Sequence, residues 1–122
     1  MENGRIDYSK ESVLLVDGNS MTLVIIEEVL RALGFSTRTA SGGGQALQSD
    51  QVEPCSFLLL DMSDVKGFEA MEAVAKNAPD TSVIVMTAHQ ADHYRYIDLI
   101  RSGATDFIKK PVDLEELEAK LV

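Results

Sequence analysis

Four apolar runs punctuate the chain: Val13-Leu14-Leu15-Val16, Phe57-Leu58-Leu59-Leu60, Val83-Ile84-Val85-Met86 and the shorter Phe107-Ile108. The first three are continuous rather than alternating. That is the pattern of strands buried on both faces, as in a parallel sheet covered by helices. Ser36 to Thr39 is a more polar strand, expected nearer an edge.

Helical spacing fills the gaps. A helix is predicted from Ser20, read as its cap, to Leu33, stopped by Gly34. Its polar arc holds Glu27, Glu28 and Arg31, with Leu23, Ile25, Ile26, Val29, Leu30 and Leu33 largely opposite. A shorter helix follows Ser41 with Ala46 and Leu47. A third runs from about Phe68 to Asn77, with Phe68, Met71, Val74 and Ala75 on one face. A fourth spans about Asp92 to Ser102 and stops at Gly103. The last begins near Asp113 and places Leu114, Leu117 and Leu121 at helical spacing. Strand then helix, five times over, predicts an α/β fold: a doubly wound, five-stranded parallel sheet with helices on both faces, of flavodoxin-like type. Residues 12–122 make up this unit, and residues 1–11 precede it as an extension. The apolar face of the last helix runs to the end of the sequence, which is the expectation for a module belonging to a longer protein.

Composition narrows the function. The net charge is −9 and the only adjacent basic pair is Lys109-Lys110. No basic stripe is present to neutralise phosphates, so nucleic acid is not an expected partner, nor is an anionic membrane. A single cysteine, Cys55, rules out an internal disulfide. The first residues lack an apolar signal core, and no run approaches the roughly 18 residues of a bilayer span. Cytoplasm is the expected compartment.

In open parallel sheets, ligands bind beyond the C-terminal strand ends. Those ends carry Asp17-Gly18-Asn19-Ser20, Asp61-Met62-Ser63, Thr87-Ala88 and Lys110-Pro111. Singly, each has a structural reading: Asp caps helices, Thr forms turns and Lys is usually a solvated charge. Jointly they suit phosphoryl transfer to a carboxylate. Asp61 can attack an electrophilic phosphorus to give a mixed anhydride. Because two anions must meet, a cation is needed. Mg²⁺ prefers oxygen ligands, and Asp17, Asp61 and the Ser63 carbonyl are the available set. Lys110 can pair with one phosphoryl oxygen and the Thr87 hydroxyl can donate to another.

Val-Leu-Leu-Val-Asp17, Leu-Leu-Leu-Asp61, Val-Ile-Val-Met-Thr87-Ala88 and Gly103-Ala104-Thr105-Asp106-Phe107-Ile108-Lys109-Lys110-Pro111 resemble the strand-end motifs of response-regulator receiver domains. The turn Thr39 to Leu47 is similar to that family's second turn and helix. The resemblance covers about residues 12 to 122. It implies a two-component phosphorelay module, not an enzyme in its own right. Asp61 would accept phosphate from a histidine kinase, a phosphotransfer protein or a small donor. Thr87 and Phe107 would form the switch pair. They would report to an output domain or partner protein on the face of the fourth helix, fifth strand and fifth helix. His89, His93, Tyr94 and Tyr96 lie near that face, as partner contacts or as a polar surface.

Two departures from the family pattern stand out. The family usually has two adjacent acids after the first strand, and here Gly18 takes the second place. One carboxylate about 4 Å from a unit charge is worth roughly 4 kcal/mol at an effective dielectric near 20. A replacing water recovers part of that, so Mg²⁺ binding is expected to be weaker by ~10- to 1,000-fold. Asn19 is not expected to replace that acid, because its neighbours align as a normal helix start. Asp17, Asp61 and Lys110 sum to −1, where a second acid would give −2, so Lys110 is expected to neutralise Asp61 more completely at rest, mimicking part of the switched state without phosphate. The loop after Asp61, Asp64-Val65-Lys66-Gly67, lacks the family's Pro and is about two residues short. A shorter loop is expected to move the Ser63 carbonyl or open the site to water. The departures keep a second reading open, a pseudo-receiver that binds partners without phosphorylation. An aspartate-dependent phosphohydrolase would want Asp-x-Asp, but position 63 is Ser. A nucleotide loop would want a glycine pattern beside the first strand, and Gly42-Gly43-Gly44 follows the second instead.

Overall fold

The computed structural model describes residues 11–42, 55–61, 65–77, 80–87, 100–101 and 103–121. Five strands, β1 (Ser12–Val16), β2 (Ser36–Ala40), β3 (Phe57–Asp61), β4 (Ser82–Thr87) and β5 (Asp106–Lys109), form one sheet in the order β2-β1-β3-β4-β5. All four pairings are parallel. Three helices are described in full: α1 (Ser20–Ala32), α2 (Val65–Asn77) and α3 (Leu114–Leu121).

The pleat explains the continuous apolar runs. Val13, Leu15, Leu59, Ile84, Met86 and Ile108 point to one side, where Ile26 and Leu30 of α1 and Leu117 and Leu121 of α3 cover them. Leu14, Val16, Leu58, Leu60, Val83 and Val85 point to the other, against Ala70, Met71 and Val74 of α2. Both faces are dry, so polar alternation has no place in β1, β3 or β4. β2 keeps more polar residues because it is an edge, as expected. Phe35 and Phe57 add an edge-to-face contact at 6.2 Å.

The helix ends refine the sequence reading. The cap of α1 is Asn19, not Ser20: its Oδ1 accepts the Met21 and Thr22 amides at 3.0 and 3.2 Å. Gly34 then turns the chain with φ 102°, a conformation suited to glycine. α2 begins at Val65, three residues before Phe68, and takes Gly67 into its first turn. Ile100 and Arg101 are helical, and the Gly103 amide, at φ 117°, donates to the Ile100 carbonyl, which ends that segment where predicted. Asp113 caps α3 through the Glu115 and Glu116 amides. Ile25 and Leu114, expected on buried faces, are 48% and 37% exposed. They line a cleft beside Lys110. The short helix after Ser41, with Ala46 and Leu47, lies outside the described residues, as does nearly all of the Asp92–Ser102 helix. No described helix is long and apolar enough to cross a membrane.

Candidate functional site

Register assembles the site. Val16 pairs with Leu60, so the next residues, Asp17 and Asp61, leave neighbouring strands side by side. Asp61 pairs with Met86, and Thr87 follows. Thr87 pairs with Lys109, and Lys110 follows, its amide donating to the Thr87 carbonyl at 2.7 Å. The two acids, the hydroxyl and the lysine predicted from strand ends therefore converge on one edge of the sheet.

The Lys110 ammonium ties the acids together. Its Nζ lies 2.6 Å from Asp17 Oδ2 and 3.4 Å from Asp61 Oδ1. Asp17 is 1% exposed. Its Oδ1 accepts the Asn19 amide at 2.8 Å, and its own amide donates to the Ala40 carbonyl. Asp61 keeps a small opening to solvent, with 11% of its side chain exposed, as an acceptor of an incoming group requires. Burial works against the charge on Lys110. The hydrogen bond with Asp17 and the negative charges of Asp61 and Asp17 outweigh it and hold the ammonium above the usual lysine range. The stability this contributes is complete below the ordinary lysine value and is lost as pH rises through the higher native one.

Thr87 is buried, and Phe107 is partly buried against the core on the α2 side. Ser63 lies outside the described residues, as do Met62, Asp64, His89, His93, Tyr94 and Tyr96. What strand-end reasoning missed is the preference of Lys110 for Asp17 over Asp61. No sequence signal carries it, because it depends on distances between three strand ends.

Hard oxygen donors suit Mg²⁺, and Asp17 and Asp61 would hold it. The described residues contain no cluster of three or more acidic, His or Cys side chains placed for a metal. Gly18 adds no ligand, and the side chain of Asn19 is taken by its capping role. The donor set fits in kind, but Lys110 already sits on it.

A fold of this topology with this edge defines a phosphoacceptor signalling module, and residues 13–122 match the response regulator receiver domain model. The chain belongs to that family. It is 28% identical over 111 residues to the transcriptional regulatory protein ZraR of Klebsiella oxytoca, covering 89% of this chain and 25% of that protein. Among solved structures it resembles a CheY-like receiver domain protein from Methanospirillum hungatei JF-1, with TM-score 0.82, 26% identity, and 91% and 90% of the two chains covered. It also shares its fold with a response regulator from Burkholderia pseudomallei that carries a phosphorylated aspartic acid and a calcium ion. There the TM-score is 0.81 at 22% identity, covering 92% of this chain and 66% of that one. The chain thus spans about a quarter of the length of ZraR. Domains of this family typically use Mg²⁺ and work with histidine kinases or phosphotransfer proteins and with output domains.

Proposed function

We propose that Asp61 is the phosphoacceptor, with Lys110 and Thr87 completing the reacting site. The observation that carries this is the single ammonium contacting both Asp17 and Asp61 at the edge where Asp61 opens to solvent. An Asp61 carboxylate oxygen attacks phosphorus. The bond from phosphorus to the donor's nitrogen or oxygen breaks, and the donor leaves with that electron pair. Lys110 has three N–H donors and can hold a phosphoryl oxygen while neutralising charge. The Thr87 hydroxyl donates to another, and Phe107 on the adjacent strand follows that movement as the switch partner. A divalent ion at Asp17, Asp61 and the Ser63 carbonyl would supply further neutralisation of the two approaching anions. Its affinity is weak because Gly18 provides no carboxylate.

Residues 12–122 act in this reading as the receiver of a longer cytoplasmic protein. Its phosphodonor is a histidine kinase or phosphotransfer protein. Its output partner binds the face that includes β5 and α3, without nucleic acid or membrane contact through this domain. Intact-mass spectrometry after incubation with a small phosphodonor and Mg²⁺ tests the chemistry. The unaltered chain gains one phosphoryl group and Asp61→Asn gains none. The absence of any gain at high Mg²⁺ refutes the assignment. One observation favours a second reading, a receiver that signals by partner binding alone: the Lys110–Asp17 pair already offsets one of the pocket's two negative charges without phosphate.

A further inference from the structure

We propose that Lys120 is a positioning residue for the switch: through the Asp106 carboxylate it holds the backbone of Phe107 in its resting place and ties that residue to the last turn of α3. The inference rests on reading Phe107 as the switch partner of a phosphorylated Asp61. It adds the contact by which that movement is opposed and passed to a helix.

One oxygen joins the three residues. Asp106 Oδ1 accepts the Phe107 amide at 2.8 Å and the Lys120 ammonium at 2.9 Å. The amide belongs to the next residue along β5, while the ammonium arrives from 14 positions later in the chain. Lys120 sits in the last turn of α3, between Leu117 and Leu121, which are both buried against the sheet. Its ammonium therefore reaches Asp106 from an anchored helix. The Asp106 side chain is 45% exposed, so water competes for its carboxylate. A charge-assisted bond from Lys120 keeps that carboxylate in the orientation that receives the Phe107 amide.

The segment around Phe107 is pinned by other means at both ends. Thr105 grips β4 twice: its amide donates to the Val83 carbonyl at 2.7 Å, and its hydroxyl accepts the Val83 amide at 3.0 Å. Lys110 closes the far end with its amide on the Thr87 carbonyl. Between these points Phe107 packs, partly buried, against the core on the α2 side. The Asp106 bridge differs in reaching a helix rather than the neighbouring strand. It is also partly exposed, so it is weak and readily broken and remade. A Phe107 backbone that shifts with Thr87 either carries its amide off Oδ1 or pulls the carboxylate off Lys120. In both cases a contact made at rest is lost. By linkage, such a contact opposes the transfer that ends it. The helix that registers the release carries the exposed Glu115, Glu116 and Glu118.

The test uses the full chain with two readouts. At rest, NMR follows the amide resonance of Phe107 and its hydrogen exchange. Lys120→Met should move the resonance and speed exchange of that amide by about two- to five-fold, and Lys120→Arg should restore both. Lys76→Met removes the same charge from an exposed position at the end of α2 and should leave both unchanged. With a small phosphodonor and Mg²⁺, intact mass should show phosphoryl gain about two- to five-fold faster in Lys120→Met than in the unaltered chain or Lys120→Arg. A merely structural role for Lys120 would lower stability without quickening transfer. A Phe107 amide indifferent to Lys120→Met, equal rates of gain in Lys120→Met and the unaltered chain, or an equal effect from Lys76→Met would each overturn the inference alone. Should no chain gain phosphate, the reading of Asp61 falls and this inference falls with it.

Discussion

Gly18→Asp installs the carboxylate that this pocket lacks, and the structure says what should happen. A Cβ at position 18 would have the Ser41 carbonyl oxygen as its nearest neighbour at 3.5 Å, an ordinary contact. Gly18 is not among the described glycines with positive φ, which are Gly34 and Gly103. The backbone therefore accepts a side chain, and glycine is not there for conformational reasons. Without metal, the local charge of Asp17, Asp61 and Lys110 moves from −1 to −2. Repulsion should then cost about 1 kcal/mol for a partly solvated carboxylate, offset by the ~0.4–1 kcal/mol gained when a glycine leaves the unfolded chain. With metal the sign reverses. One more oxygen ligand should tighten Mg²⁺ by about 10- to 1,000-fold, or ~1.4 to 4 kcal/mol. Calorimetric titration measures the affinity. Thermal unfolding in chelator and in excess Mg²⁺ measures the linkage, since ligand at about 100 times its Kd adds roughly 2.7 kcal/mol. A well-folded variant whose Mg²⁺ affinity stays within about two-fold of the unaltered chain would refute the reasoning. It would mean that the missing acid is not what limits the site.

Two further outcomes follow from contacts away from the acceptor. Asn19→Ala should lower stability by about 1 kcal/mol, because the Met21 and Thr22 amides lose their acceptor. Urea unfolding would show a lower midpoint at unchanged slope, and an unchanged midpoint would deny Asn19 its capping role. Lys120→Met removes the 2.9 Å bond to Asp106. Burial alone would raise the Asp106 carboxyl, but the hydrogen bond from Lys120, the Phe107 amide and the lysine charge together hold it below the usual range. Its contribution is present above the ordinary carboxylate value and is lost as pH falls through the lower native one. Both side chains are partly exposed, at 23% and 45%, so the effect at neutral pH stays below about 1 kcal/mol. The melting temperatures of variant and unaltered chain should converge once pH has fallen through the lowered native carboxylate value, and a gap that persists in acid would argue against the ion pair.

The parts of the fold legible in the sequence are those where local chemistry and burial agree. Val13 to Val16, Phe57 to Leu60 and Val83 to Met86 are apolar at every position because helices cover both faces. That same fact announced a parallel sheet. Asp17, Asp61, Thr87 and Lys110 were identifiable because strand ends in such sheets face the ligand edge. Boundaries were harder. Asn19 and Ser20 are both good caps, and only backbone geometry distinguishes them. Gly67 suggested a loop, yet α2 absorbs it, since a glycine in a first turn costs less than an unpaired backbone. Helical spacing places Ile25 on the apolar face of α1, but the sheet covers a narrower arc, and Ile25 is 48% exposed. The pairing of Lys110 with Asp17 was beyond reach, because residues 93 positions apart meet only through the order of the strands.

That order, β2-β1-β3-β4-β5, also divides the site by how readily its halves open. Asp61 leaves β3, the middle strand, whose Leu58, Leu59 and Leu60 are at most 1% exposed. Lys110 follows β5, a four-residue strand with a neighbour on one side only. Amide hydrogens near the acceptor should therefore exchange at the rate of global unfolding, while those of β5 exchange through smaller openings. A phosphorylated carboxylate on β3 would keep its place while the lysine beside it comes and goes. The lifetime of the signal would then be governed by breathing at the sheet's rim, and substitutions along β5 could lengthen or shorten it without touching the acceptor strand.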